Sequence, residues 1–399
     1  MTWTKAFVPY GAGWSSPFVK WQGSFAPLHS LELCADVARR ALAARHLPAE
    51  HFDALHLGTT IPQPASFYGA PWVAGLVGAP GVTGPTYAQA CATGARTIAG
   101  AASDVENGVA RCVLALTADR CSNGPHLVYP NAANPGARPD VEDWVWDNFA
   151  RDPWAGEAMI QTAENVARAA GVTREEQEAV TLLRFAQYQD ALADGAAFQR
   201  RYLVAPYEVN PTGKKILATV ASDEGVFPTT REGLAKLKPV QKDGSVTFGT
   251  QTHPADGNAG LVVTTRERAA ELGRDPKVLV QLCAAGVARA KKAHMAQAVA
   301  PAARQALERA GVTAADCAAV KTHNPFAVND VIFARELGLQ IEDFNRYGSS
   351  LVYGHPQAPT GMRLVVELIE ELALRGGGWG LFAGCAAGDT AMALVLKVG

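Results

Sequence analysis

Two stretches of this chain repeat one layout at almost the same spacing, and nothing else in it constrains the fold as strongly. Arg40-Ala41-Leu42 through Ala54-Leu55 can be laid over Gln305-Ala306-Leu307 through Ala319-Val320 with an offset of 265 residues. Gly94, Arg96 and Ile98 then fall opposite Gly361, Arg363 and Val365 at an offset of 267, and the runs CVLALTAD and WGLFAGCA coincide after them. In the first copy, residues 31–45 have the spacing of an amphipathic helix and FDALHLGTT reads as a strand. QACATGARTIAGAASDVENG reads as a loop entering an Ala-rich buried helix, and RCVLALTAD as an interior strand. Identity between the copies is low, so chance packing of α/β units is the competing account. Two separate segments sharing nearly one offset favour a duplication.

Between the copies the character changes. Residues 120–250 hold SNGPHLVYPNAANPGARPD, a helical TAENVARAAGVTREEQEAVTLLRFAQYQDAL, and a polar stretch ending in LAKLKPVQKDGS. Thr173 with Glu176 three residues on predicts a capping box at a helix start. An excursion this long inside a duplicated core predicts a functional covering segment. The expected division is 1–119 with 250–270 as one half, 120–249 as the cover, and 271–399 as the other half.

Composition narrows the class. With 399 residues and 48% hydrophobic against 19% charged, the chain can bury a large core and is not disordered. A net charge of -2 argues against nucleic acid or an anionic membrane as partner. The opening MTWTKAFVPYGAGW lacks the pattern of a secretory signal, and the closing LVLKVG carries no lipidation tag. Seven cysteines without a CxxC pair suit a reducing compartment, so a cytoplasmic location is expected.

Four thiol and imidazole groups stand at loop ends of the duplicated sheet. Cys91, in Ala-Gln-Ala-Cys91-Ala-Thr-Gly94, sits where a helix begins. There, free backbone N–H groups and the helix dipole would stabilise a thiolate and an oxyanion, although a small buried residue is equally compatible. His355, in Tyr353-Gly354-His355-Pro356, is held in a turn before a helix at about 361–374, either as a base or as a solvated loop histidine. His323, in His323-Asn324-Pro325-Phe326, follows a strand at the end where α/β sites collect. Cys385, in Gly384-Cys385-Ala386-Ala387-Gly388, lies among residues small enough for a ligand to approach the backbone. The other five cysteines (Cys34, Cys112, Cys121, Cys283 and Cys317) read as core or incidental thiols.

From about residue 85 to 395 the sequence resembles the thiolase family. QACATGA is similar to its Cys-x-Ser/Thr-Gly nucleophile motif, and TAENVARAAGVTREEQ to a helix of its covering domain. SDEGVFPTTREGLAKLKPVQKDGSVTFG resembles the lead-in to the coenzyme A pocket. HNPF, YGHP and CAAG stand where members have NEAF, LGHP and CxGG. The resemblance implies a duplicated five-layer α/β/α/β/α thiolase fold with an inserted covering domain.

It also implies roles. Cys91 attacks a thioester and carries the acyl group, His355 takes its proton, and Cys385 moves the α-proton. His323, in place of the family asparagine as in some sterol-carrier-type thiolases, supports the enolate oxyanion. The backbone N–H groups of Cys91 and Ala387 form a second oxyanion hole. Thr252 aligns with a pantetheine contact, and Met159 and Phe326 with the acyl pocket. Lys214, Lys215, Arg231, Lys236 and Lys238 either meet coenzyme A phosphates or form a solvated face. Coenzyme A is a substrate, and neither a cofactor nor a metal is implied. No GxGxxG follows a strand, so no dinucleotide is implied either. The family implies a homodimer or homotetramer, with an accessory subunit left open.

The departures cluster around the acyl group. TQTHPADG stands for NASGINDG, and NRYGSSLV for NVNGGAIA, which predicts that Tyr347 intrudes near His355. Trp144, Trp146 and Trp154 in the cover either line a pocket for a large or aromatic acyl group or anchor the loop. The expected reaction is reversible cleavage of a 3-oxoacyl-CoA by coenzyme A, releasing a shortened acyl-CoA and acetyl-CoA or another acyl-CoA. Two alternatives remain: a condensing enzyme of the same fold, against which Cys385 argues, and a non-catalytic acyl-CoA-binding or scaffold protein.

Overall fold

The computed structural model describes all 399 residues. Its frame is, in chain order, β1 (Phe7–Pro9), α1 (Ser30–Ala44), β2 (Ala54–Gly58), α2 (Thr93–Glu106), β3 (Cys112–Arg120), α3 (Met159–Ala170), α4 (Arg174–Ala196) and β4 (Ala255–Thr264). The second half adds β5 (Leu279–Arg289), α5 (Val299–Ala310), β6 (Cys317–His323), α6 (Ala327–Leu337), α7 (Ala358–Leu374), β7 (Gly378–Ala386) and β8 (Thr390–Val398).

β2 and β3 run parallel, with Leu55 opposite Leu114, as do β6 and β7, with Val320 opposite Leu381. β4 and β8 return antiparallel beside β3 and β7. The unit strand–helix–strand–strand therefore occurs twice, as the offsets predicted. Phe7 of β1 pairs with Thr264 of β4 and with Gln281 of β5, so the half-sheets form one continuous 11-stranded sheet. It curls around α2 and α7, which pack on each other and touch strands of both halves. α1 covers the outer face of the first half; α5, with α6 beside it, covers that of the second. Helix, sheet, helix pair, sheet and helix make the five layers.

Residue size explains the centre. Ala95, Ala99, Ala101 and Ala102 of α2 have no exposed surface, and all of β3 before Arg120 is buried, as a strand covered on both faces must be. The helices come closest at the paired glycines. A Cβ on Gly94 would stand 2.6 Å from both the Ala358 carbonyl oxygen and the Met362 nitrogen.

The chain leaves this core after Arg120 and re-enters at Ala255. The long helical reading of 162–192 is two helices: Gly171, at φ +61°, ends α3. Thr173 and Glu176 then form the predicted capping box of α4. Two ion pairs with wholly buried side chains tie the cover down, Arg184–Asp330 at 2.8 Å and Arg363–Asp223 at 2.6 Å. Removing one partner of such a pair costs about 3–5 kcal/mol. No helix is long and apolar enough to cross a membrane.

Candidate active site

The contact between Gly94 and Gly361 brings two helix starts together. Cys91 lies just before α2, and His355-Pro356-Gln357 runs into α7, which begins at Ala358 rather than near 361. Two non-glycine residues here take left-handed backbone, Ala90 at φ 44° and Gln357 at φ 61°. Such conformations cost of order 1–3 kcal/mol and persist where the surroundings impose them.

The Cys91 thiol donates to Gln357 Oε1 at 3.3 Å, while the backbone N–H groups of Ala387 and of Cys91 itself point at the sulfur. Burial pushes the thiol up to about 11, outweighing those two N–H groups. His355 Nδ1 pairs with Thr360 Oγ1 at 2.6 Å, and His323 Nδ1 with Ser350 Oγ at 2.8 Å. The two rings lie 4.1 Å apart, and the Nε2 atoms of both are buried without a hydrogen-bond partner. Burial lowers His323 to about 3 and, with His323 as second cause, holds His355 well below its ordinary value, so both imidazoles are neutral. Donor atoms of Cys91, His323 and His355 all lie within 4.8 Å of one another.

Cys385 lies outside that trio. It is wholly buried, accepts from Asn329 Nδ2 at 3.2 Å, and has its thiol raised well above the usual range by burial and then by Cys91.

Cys91 and His355 open into a cavity of about 790 Å³ whose wall is mostly apolar. Met159, Phe326, Thr252 and Ala387 line it, together with Trp144, Trp146, Trp154 and Phe149. The tryptophans both wall and anchor: Trp144 Nε1 donates to the Thr60 carbonyl at 2.9 Å, Trp146 meets Trp21 edge-on at 5.4 Å, and Lys292 sits 3.9 Å over Trp154.

One expectation needs correcting. Tyr347 does not intrude at His355. Its φ of +67° turns it away from the cavity wall, and its ring stacks on Phe198 at 3.8 Å. Thr252 lines the cavity; its Oγ1 donates to the Ser350 carbonyl at 2.5 Å and keeps lone pairs that can accept a hydrogen bond. Lys214, Lys215, Arg231, Lys236 and Lys238 are exposed and none lines the cavity. Besides His355, the one ionisable wall side chain other than Cys91 is Asp152, whose Oδ1 is taken by the Trp154 and Ala155 N–H groups.

The structure adds residues that the sequence reading missed. Gln357 faces Cys91, Asn329 holds Cys385, and Ser350 and Thr360 orient the histidines. Asp119 accepts from the N–H groups of Thr60, Ile61 and Ala358 and from the hydroxyls of Thr59 and Thr60, although burial raises it to about 6. Ser350 stood inside a motif already noted, NRYGSSLV, and Gln357 one residue beyond YGHP; Asn329 and Asp119 carried no signal.

A duplicated α/β core that sets a thiol beside an imidazole at paired helix starts, on the wall of an acyl-sized cavity, is the architecture of a cysteine acyltransferase. The family models Thiolase, N-terminal domain and Thiolase, C-terminal domain match residues 12–267 and 276–398. The chain belongs to the thiolase family. It is 31% identical over 389 residues to the acetyl-CoA acetyltransferase of Pseudomonas aeruginosa, covering 94% of this chain and 95% of that protein. It is 31% identical over 430 residues to the 3-ketoacyl-CoA thiolase of Salmonella newport, covering 97% and 95%. Among solved structures, the acetyl-CoA acetyltransferase of Bacillus anthracis superposes with a TM-score of 0.91 at 28% identity, covering all of both chains. Human mitochondrial 3-ketoacyl-CoA thiolase in complex with CoA does so at 0.89 and 26%, covering 99% and 98%.

Proposed function

We propose that this thiolase cleaves a 3-oxoacyl-CoA carrying a bulky or aromatic acyl group, transferring that group to coenzyme A through a Cys91 acyl-enzyme and releasing acetyl-CoA or another acyl-CoA. The observation that carries this reading is that Cys91 lines a cavity walled by Trp144, Trp146, Phe149 and Phe326. Its volume of about 790 Å³ falls in the range of sites that enclose a large ligand.

On this reading the resting pair is a neutral thiol and a neutral imidazole. The Cys91 proton passes to His355 Nε2 as the sulfur attacks the 3-oxo carbonyl carbon, two carbons from the thioester. The charge that develops on oxygen meets the N–H groups of Cys91 and Ala387, a reading supported by their pointing at the Cys91 sulfur beside it. Breakage of the 3-oxoacyl carbon–carbon bond leaves an enolate, whose oxygen is met by His323 and His355 and whose carbon takes a proton from Cys385. Coenzyme A then removes the acyl group. The chain acts in the cytoplasm as a homodimer or homotetramer, which sedimentation would check.

Intact-protein mass after mixing with a panel of aryl, long-chain and short 3-oxoacyl-CoA thioesters tests the proposal. An acyl adduct on wild type and none on Cys91→Ser is expected, largest with aryl substrates. Faster cleavage of acetoacetyl-CoA than of every bulky substrate would refute the acyl assignment. No adduct and no cleavage at all would favour a non-catalytic acyl-CoA-binding protein.

A further inference from the structure

We propose that Cys91, His323 and His355 form a binding site for a thiophilic divalent cation, with Zn²⁺ the best fit, and that its occupation switches acyl transfer off. The sulfur and one nitrogen of each ring already lie within 4.8 Å of one another. The Nε2 atoms of His323 and His355 are buried without a partner, in residues only 1% and 4% exposed. Ser350 and Thr360 occupy the Nδ1 positions, the outer support that metal-bound histidines have, which leaves each Nε2 to serve as a ligand.

Bond lengths of about 2.0–2.1 Å to nitrogen and about 2.3 Å to sulfur put the donors of a tetrahedral zinc site roughly 3.3–3.8 Å apart. The site therefore closes by side-chain movements of about 1 Å. Cys91 and His355 both face the cavity, so the fourth position is open to water. On binding, the Cys91 thiol releases its proton to solvent as the sulfur–metal bond forms, and the neutral imidazoles release none. No carboxylate joins the set, which disfavours Mg²⁺ and Ca²⁺. A bound ion occupies the sulfur of the nucleophile and the lone pair of its base together.

Titration of the reduced full-length protein with Zn²⁺, by calorimetry in two buffers of different ionisation heat, tests the site. One cation per chain and release of about one proton are expected. Co²⁺ should give a sulfur-to-cobalt charge-transfer band and the intense visible bands of four-coordination, and Mg²⁺ should give no heat. Alkylating wild-type Cys91 with iodoacetamide should abolish uptake. Ser350→Ala, which keeps the ligands, should weaken it by about 10-fold, and His323→Gln by more than that. Uptake that survives alkylation, or that is unchanged in His323→Gln, would place the ion elsewhere or on the thiol alone and overturn the proposal. Absence of Zn²⁺ uptake would overturn it as well.

Discussion

Gly94→Ala tests whether the two helix starts set the site. The new methyl would stand 2.6 Å from both the Ala358 oxygen and the Met362 nitrogen, and both are backbone atoms that no rotamer change can move. Even an unusually tight contact needs about 0.5 Å more than this, so α2 and α7 must part by at least that amount. Overpacking of this kind costs about 1–3 kcal/mol. At about 2.1 cal/mol/K of unfolding entropy per residue, a chain of this length loses only about 1–4 °C in Tm. The effect on catalysis should be larger. Cys91 leads into α2, and His355 and Gln357 lead into α7, so the separation falls on Cys91 and His355. A 1 Å misplacement costs about 100-fold in rate, so half of that predicts a loss of order tenfold in kcat/KM. Gly75→Ala is the control: it is also helical, but has nothing within 4 Å of the new methyl, and should be neutral or slightly stabilising. Thermal melts and steady-state thiolysis of the best substrate read both effects. Wild-type kcat/KM in Gly94→Ala, with a Tm within about 1 °C of wild type, would refute the idea that this contact sets the distance.

Three further outcomes follow from single contacts. Asn329→Ala strips Cys385 of its donor, so solvent exchange of the α-protons of bound acetyl-CoA should slow while Cys91 still acylates; equal loss of both would instead mark a folding defect. His323, lowered by burial to about 3, binds its proton in the unfolded chain near 6.5 but not in the folded one, so its contribution to stability worsens as pH falls below 6.5. His323→Asn should therefore gain about 2 kcal/mol relative to wild type between pH 7 and pH 5, read as converging or crossing melting curves. Trp146→Ala removes part of the aromatic wall and should lower kcat/KM for aryl substrates by about 5–30-fold relative to acetoacetyl-CoA; an unchanged ratio would move the acyl group away from this wall.

What could be read from the sequence had a physical reason to be local. The duplication showed because each copy must bury the same small-residue helix between strands, which forces Gly94 and Gly361 into register. Cys91, His355, His323 and Cys385 stood out because strand ends and helix starts are marked by short Gly- and Pro-flanked motifs. Asn329 and Asp119 were silent, because each acts on a group 56 or 239 residues away and sits in an apolar context that reads as core. Tyr347 misled for a related reason: its motif lies near the site in sequence, but the left-handed turn at 347 sends the ring to Phe198.

The three unusual segments HNPF, TQTHPADG and NRYGSSLV look like separate departures in the sequence, yet they form one hydrogen-bonded unit. Ser350 Oγ holds His323 Nδ1, and the Ser350 carbonyl accepts from the Thr252 hydroxyl. The Thr252 N–H donates to Pro325, and Ala327 returns a bond to Thr250. The His355 N–H donates to the His253 carbonyl, so the same stretch also holds His355. A histidine at 323 needs a hydroxyl at 350 to fix its ring, and that hydroxyl in turn rests on the 250–255 strap. The three segments therefore depend on one another around a single imidazole. Returning one of them to the common pattern should strand a buried polar group, at about 1–3 kcal/mol, whereas returning all three together should not.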